Sequence, residues 1–259
     1  MKIVILEIPH QQELNQLIQN MHFDAYCFSR GAIFINPKFY DLSITLNNLK
    51  ISIIFKIIGW ILHIELVRKV LIKTKIAKYY KFHAPDMKNE FEIGFLTYVK
   101  GWYFRNGESV DNVKSFYIEK FNKTLRKEIE YEKKKEFFIG VHIRRGDYIN
   151  FQGGKYYLTD DQYITALKNV IKDIEVKFRV VLFGNDPELN VSKYIGLGLN
   201  LTVSKGTIYE DYYRLSKCDI VLGPSSTFTI WSQFISYGKM KKIILDCQNY
   251  QNVRLKDAI

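Results

Sequence analysis

The sequence predicts an α/β fold in two domains, and three observations carry that expectation. Its 259 residues suit two compact units, because single cores stop growing at roughly 250–300 residues. Its second half alternates strand-like and helix-like apolar runs, the pattern of a parallel sheet covered on both faces. Between the halves, residues 119–136 mix both charge signs densely, as in Arg126-Lys127-Glu128 and Lys133-Lys134-Lys135-Glu136, and read as an exposed helix at a domain boundary. The expected domains are residues 1–130 and 131–259.

Composition excludes several classes. With 47% hydrophobic residues, 15 Gly and 5 Pro, the chain is too apolar for disorder and too poor in Gly and Pro for a collagen-like or low-complexity protein. Cys27, Cys218 and Cys247 lie far apart with no CxxC or Cys/His spacing, so neither a zinc site nor a disulfide framework is expected. They read as small core residues in a reducing compartment. The segment Met1–Glu7 stops being apolar too early for a signal peptide and reads as a first strand, so a cytoplasmic protein is expected.

The apolar stretch Ile51–Leu66 is interrupted by Lys56, His63 and Glu65, whereas crossing a bilayer takes about 20 uncharged residues. Ile54, Ile57, Ile58, Ile61, Leu62 and Leu66 recur at helical spacing, which predicts a buried or interfacial amphipathic helix. The net charge of +11 is concentrated here. Lys50–Lys81 holds eight basic residues against the single Glu65. Such a segment either attracts anionic membrane or nucleic acid, or forms a solvated helix face.

In the second half, the run Phe137–Ile143 reads as a buried strand. Thr159 with Gln162 forms a capping box, opening a helix that turns Ile164, Leu167, Val170 and Ile171 inward. Strands follow at Arg179–Phe183, Leu199–Val203, Asp219–Leu222 and Lys242–Leu245, with helices near Tyr209–Lys217 and from Thr227.

Open parallel sheets bind ligands beyond the carboxyl ends of their strands, and three polar clusters fall there. In His142-Ile143-Arg144-Arg145-Gly146-Asp147-Tyr148, two adjacent guanidinium forks can clamp phosphate, with Asp147 holding an arginine; the same residues also suit a plain surface turn. Asn185 and Asp186, after Phe183-Gly184, can read the donor edge of a nucleobase or simply make a turn. Ser225-Ser226-Thr227-Phe228-Thr229 supplies hydroxyls and backbone N–H groups at a helix N-terminus, suited to an anion or to ordinary capping.

The order of these clusters resembles the bacterial α-1,2-fucosyltransferases. His142-Ile143-Arg144-Arg145-Gly146-Asp147 is similar to their HxRRxD signature, Asn185-Asp186-Pro187 to their Asp-Asp-Pro region, and Ser226-Thr227-Phe228-Thr229 with Trp231 to their Ser-Ser-Phe-Ser run and Trp. Towards the N-terminus, Gln12–Leu17 keeps the Asn15-Gln16 of the family's Gly-x-Gly-Asn-Gln turn without its glycines, and Phe34-Ile35-Asn36-Pro37 is also similar to the family. The resemblance implies a GT-B fold of two Rossmann-like domains, with an acceptor-side N-terminal domain and the sugar nucleotide on the C-terminal one. It implies an inverting, metal-independent transfer of fucose from GDP-fucose to a galactoside hydroxyl of a surface glycan, without further cofactor. Lacking any Asp-x-Asp motif, the sequence agrees with metal independence.

By the same resemblance, His142 and Arg144 sit on the diphosphate, Asp147 supports the loop, Asp186 lies near guanine, and Ser226, Thr227 and Phe228 flank phosphate and base. Arg145, Asn185 and Ser225 complete the nucleotide-sugar set, Arg144 and Asp147 are the catalytic pair, and Asn15 is an N-domain contact. Glu7, His10, Glu13, His22 and Asp24 are candidates for the base that deprotonates the acceptor. The expected partners are the sugar nucleotide and a glycan acceptor, lipid-linked if the Lys50–Lys81 segment sits on the inner face of a membrane. Two rivals stand beside this reading. One is a GT-B transferase using another nucleotide sugar. The other is a nucleic-acid-binding protein acting through the basic segment, although no RRM, zinc-finger or helix-turn-helix signature accompanies it.

Overall fold

The computed structural model describes residues 2–7, 13–36, 53–82, 90–101, 103–126, 136–184, 186 and 189–259; within its helices, the side chains of 13–15, 53–56, 58, 121 and 124–126 are not described. The chain divides into two compact units, Met1–Tyr117 and Ile118–Ile259. Residues 127–135, at the expected boundary, lie outside the described set.

The first unit contains β1 (Lys2–Leu6), α1 (Glu13–Phe28), β2 (Ala32–Ile35), α2 (Ile53–His63), α3 (Glu65–Lys73), β3 (Ala77–Lys81), β4 (Leu96–Lys100) and α4 (Gly107–Asp111); α5 (Lys114–Arg126) starts here and ends in the second unit. The four strands form a parallel sheet in the order β2-β1-β4-β3. Period-two alternation splits β1 between two cores. Val4 and Leu6 join an aromatic cluster of Phe23, Phe34, Phe82, Phe91 and Phe104, while Ile3 and Ile5 pack with Tyr98 against Leu62, Leu71 and Ile72. The single helix expected over Ile51–Leu66 is two helices. Ile64 takes an extended ψ of 121° and ends α2, whose last residue, His63, places Nδ1 3.0 Å from the Gly59 carbonyl and Nε2 2.9 Å from that of Leu6.

The second unit contains β5 (Phe137–His142), α6 (Asp160–Ile171), β6 (Phe178–Phe183), α7 (Val191–Ile195), β7 (Leu201–Val203), α8 (Ile208–Leu215), β8 (Ile220–Gly223), α9 (Thr227–Ile235) and β9 (Lys241–Ile244). Every expected strand is present within two residues of its predicted ends. The sheet is wholly parallel, in the order β7-β6-β5-β8-β9, which is the doubly wound order with its reversal between β5 and β8. Ile139 and Val141 face one core and Phe138 the other, as burial on both faces requires. Gly140 lets α8 approach β5: a Cβ there would lie 2.8 Å from the Leu215 side chain and 3.1 Å from the Cys218 sulfur. Cys27 and Cys218 are core residues as expected. Cys247 is exposed, because it follows β9 in a surface turn.

Candidate active site

The reversal of strand order places the carboxyl ends of β5 and β8 side by side, leaving a crevice where neighbouring crossovers run to opposite faces. Two of the three predicted clusters emerge at these ends. The backbones approach closely, since a Cβ on Gly223 would lie 2.7 Å from the His142 carbonyl oxygen and one on Gly184 2.8 Å from that of Ile143. Glycine at both positions is thus a packing requirement of the β5 end. Hydrogen bonds then tie the loops together. The Tyr148 hydroxyl, in the 3-10 turn Gly146–Ile149, donates to the Ser225 carbonyl at 2.8 Å, and Ser226 Oγ lies 3.5 Å from His142 Nδ1.

The adjacent arginines do different things. Arg144 lies near the surface and is gripped by Asp147, with Nε to Oδ1 and Nη2 to Oδ2 both at 3.0 Å. Its guanidinium also sits 5.5 Å from the centre of the Tyr148 ring. Arg145 points inward and is buried. Its Nε donates to the Leu158 carbonyl at 2.9 Å, Nη1 to Asp186 at 3.1 Å and Nη2 to Asp160. Asp160 is itself held by the Tyr194 hydroxyl at 3.1 Å and the Asn190 N–H at 3.2 Å. Burial lowers the Arg145 pKa, but the bond and charge of Asp160, and then the charge of Asp186, raise it overall, so the cation is locked in. The strand has ended at His142, and Arg145 takes a non-extended backbone, φ -122° and ψ -98°, just before the 3-10 turn.

Asp186 is therefore a partner of Arg145, and Asn185 lies outside the described residues. Asp160 carries no signal in the motif; its place in the first turn after the Thr159 capping box, which the structure contains, hides a structural role behind a helix-dipole one.

His142 is buried, its ring stacked on Phe228 with centroids 4.9 Å apart. Burial, and then the charge of Arg144, push its pKa down to about 3. It is a neutral imidazole at physiological pH. Phe228 also meets Tyr212 edge-on, so its ring packs against protein on two sides. Ser226 caps α9 by accepting from the Thr229 N–H at 3.2 Å. The N–H groups of Thr227 and Phe228 have no protein acceptor among the described residues, and the helix dipole favours an anion there.

Among the candidate bases, Glu7 is held by Lys100 at 2.9 Å, Tyr79 at 2.8 Å and Arg68 at 3.1 Å. Burial raises its pKa, but the bonds from Lys100 and Tyr79 and the Arg68 charge lower it overall, making it a weak base. His22 Nδ1 lies 3.1 Å from both the N–H and the carbonyl of Asn106, and burial pushes its pKa down to about 4. Asp24 is fully buried and accepts from the Tyr117 hydroxyl at 2.7 Å. The side chains of Glu13 and Asn15, and the whole of His10, lie outside the described residues.

The sequence profile of glycosyl transferase family 11 matches residues 5–259, nearly the whole chain. The protein belongs to glycosyltransferase family 11. This is the α-1,2-fucosyltransferase family to which the HxRRxD signature pointed. No curated protein matches it significantly in sequence. Among solved structures, the family-11 chain is similar to the fucosyltransferase NodZ from Bradyrhizobium, at 14% identity and a TM-score of 0.53 over 95% of this chain and 96% of that one. It is likewise similar to a mutant of Arabidopsis thaliana FUT1 in complex with GDP, at 14% identity and a TM-score of 0.55 over 94% of this chain and 70% of that one. A NodZ α-1,6-fucosyltransferase soaked with GDP-fucose matches at 13% identity and a TM-score of 0.50 over 96% of each chain. These likenesses establish the two-sheet GT-B fold of the family-11 enzyme.

Two histidines, His142 buried and His22 partly buried, are expected to make the stability of this family-11 enzyme acid-sensitive. His142 and His22 stay neutral when folded, with pKa values of about 3 and about 4, whereas unfolding returns them to about 6.5. Below pH 6.5 the unfolded chain binds the extra protons, so stability present above that pH falls as pH drops towards the folded values. Each histidine costs about 1.4 kcal/mol per pH unit within its window. Resistance to urea should therefore fall from pH 6.5 to about pH 5, less so in His142→Phe; an identical pH slope in parent and variant would contradict the assignment.

Proposed function

We propose that this enzyme transfers fucose from GDP-fucose to a galactoside hydroxyl of a surface glycan, forming an α-1,2 linkage with inversion at the anomeric carbon. The observation that carries the reading is the pairing, at one sheet reversal, of the Arg144–Asp147 fork with the uncommitted N–H groups of α9. Departure of GDP leaves negative charge growing on the β-phosphate, and preorganised donors aimed at that charge lower the barrier. Arg144 supplies a planar cationic fork, with Asp147 fixing its orientation before the donor arrives. The first turn of α9 supplies backbone donors and the positive end of its dipole. Neutral His142 adds a single N–H and no charge, and its ring shelters the β5 end with Phe228.

Arg145 acts behind this front. By tying Asp186, Asp160 and Leu158 together it holds the loops after β5 and β6 at one distance. In this reading, Asp186 and Asn185 meet the guanine from the β6 loop, while Ser225, Ser226 and Thr227 line the phosphates.

Melting curves with GDP, GDP-fucose, UDP and single-stranded RNA test the proposal, because a ligand that binds the folded state stabilises by mass action, by about 2.7 kcal/mol at a hundred times its Kd. GDP and GDP-fucose should raise the melting temperature and UDP less so. Equal shifts with both nucleotides would remove base reading at Asp186, and a shift with RNA alone would favour the nucleic-acid rival.

A further inference from the structure

Helix α2 is apolar on two sides. Inward, Leu62 packs against the sheet core, the Tyr98 hydroxyl donates to the Leu62 carbonyl at 2.8 Å, and His63 bonds the end of β1. Leu71 and Ile72 of α3 pack on the same core, and Arg68 reaches Glu7. The inner face is thus fixed by packing and by polar anchors. Outward, Ile57, Trp60, Ile61 and Ile64 are all exposed, Trp60 by 69%. Ile57, Trp60 and Ile61 follow the i, i+3, i+4 spacing of one face of α2, and Ile64 stands at the break just after it; such a stripe is what a water-soluble helix turns inward. Helix α3 adds Leu66, 72% exposed, and Val70 one turn on. Single exposed apolar residues are ordinary, but six within the 14 residues from Ile57 to Val70 form a cluster.

Charge identifies the occupant. The segment carrying the stripe holds most of the chain's positive excess, and Lys69, Lys73 and Lys75 are exposed on and just after α3. Ion pairs occupy three of its basic residues, Lys69 with Glu65 at 2.7 Å, Arg68 with Glu7 at 3.1 Å and Lys78 with Glu92 at 2.5 Å, whereas Lys73 and Lys75 enter no ion pair among the described residues. A tryptophan-bearing apolar stripe beside lysines fits the boundary between acyl chains and phosphate headgroups, where aromatic rings and long lysine stems are both accommodated. At 11 residues α2 is about 16 Å long, well short of a bilayer core of about 30 Å. No helix among the described residues is long and apolar enough to cross a membrane.

We propose that the α2–α3 helix pair docks this enzyme on an anionic lipid surface, lying in the interface with Trp60 and Leu66 inserted and Lys73 and Lys75 on the headgroups. The proposal does not depend on the identity of the sugar donor.

Flotation of the full chain with phosphatidylcholine vesicles, with and without phosphatidylglycerol, tests it. The parent should float with the anionic vesicles, weakly with the neutral ones, and less as salt rises, since free charges are screened beyond about 8 Å at physiological ionic strength. The double variant Trp60→Ser, Leu66→Ser should lose at least about tenfold in partitioning, as withdrawal of two large apolar side chains implies. Lys73→Gln, Lys75→Gln should bind less at low salt and depend less on salt. Both variants should keep the parental melting temperature and its GDP-induced shift, so a failure of nucleotide binding is separable from a failure of docking. Parental partitioning by the double variant would overturn the proposal, as would a parent that floats with neither vesicle. A parent that is dimeric, becomes monomeric on Trp60→Ser, Leu66→Ser and ignores vesicles would make the patch a self-interface and equally overturn it.

Discussion

Replacing Arg144 with alanine is expected to slow fucosyl transfer by ~10²–10³-fold while leaving the fold intact, the range found when one preorganised donor to a developing charge is removed. The side chain is partly exposed and its ion pair with Asp147 is a surface pair worth about 1 kcal/mol at most, so little stability is lost. Lysine should not restore the rate. A point charge lacks the two parallel donors, and Asp147 would hold it differently. The assay is GDP release from GDP-fucose in the presence of a galactoside, alongside a melting curve for each variant. Near-normal turnover in Arg144→Ala, or full rescue in Arg144→Lys, would remove Arg144 from the leaving-group site.

Its neighbour should fail in the opposite way. Arg145→Met leaves the buried carboxylates of Asp160 and Asp186 without their shared cation, and breaking such a pair from one side typically costs about 3–5 kcal/mol. The unfolding free energy measured in urea should fall by that amount before any assay of turnover is meaningful. Adding Asp160→Asn should recover part of the loss, because one uncompensated charge disappears. A loss below about 1 kcal/mol would show that Arg145 is not the strut described, and would return it to the ligand side of the crevice.

This contrast marks where the sequence stops being legible. The β5 run and its polar end are plain in Phe137–Asp147, because a strand buried on both faces must be continuously apolar and must break where solvent begins. The Thr159–Gln162 cap is equally local, and both partners lie within one turn. What separates Arg144 from Arg145 is not local. Arg144 meets Asp147 three residues away, as a motif can hint, whereas Arg145 meets Asp160 and Asp186, 15 and 41 residues on, through the packing of α6 and the β6 loop. Residue type alone makes both arginines phosphate clamps.

The first half is less legible for a related reason. Strands β3 and β4, Ala77–Lys81 and Leu96–Lys100, are short and carry lysines, so their apolar signal is weak outside the sheet that pairs them. The pattern over Ile51–Leu66 correctly gives helix but not the break at Ile64, which belongs to the docking of His63 and Arg68 onto β1 and Glu7. The candidate bases illustrate the same limit. His22 and Asp24 look available in sequence, yet α1 turns them into the unit's interior, to Asn106 and Tyr117.

If the β5 and β8 ends hold GDP-fucose while a galactose hydroxyl displaces GDP, the product is visible on the acceptor. Proton NMR of a β-galactoside incubated with the enzyme and GDP-fucose should show a new anomeric signal of an α-linked fucose and a shift of the galactose H2, in step with GDP release and absent in Arg144→Ala. A galactoside that stays unmodified with GDP-fucose but is glycosylated from a different sugar nucleotide would contradict that assignment.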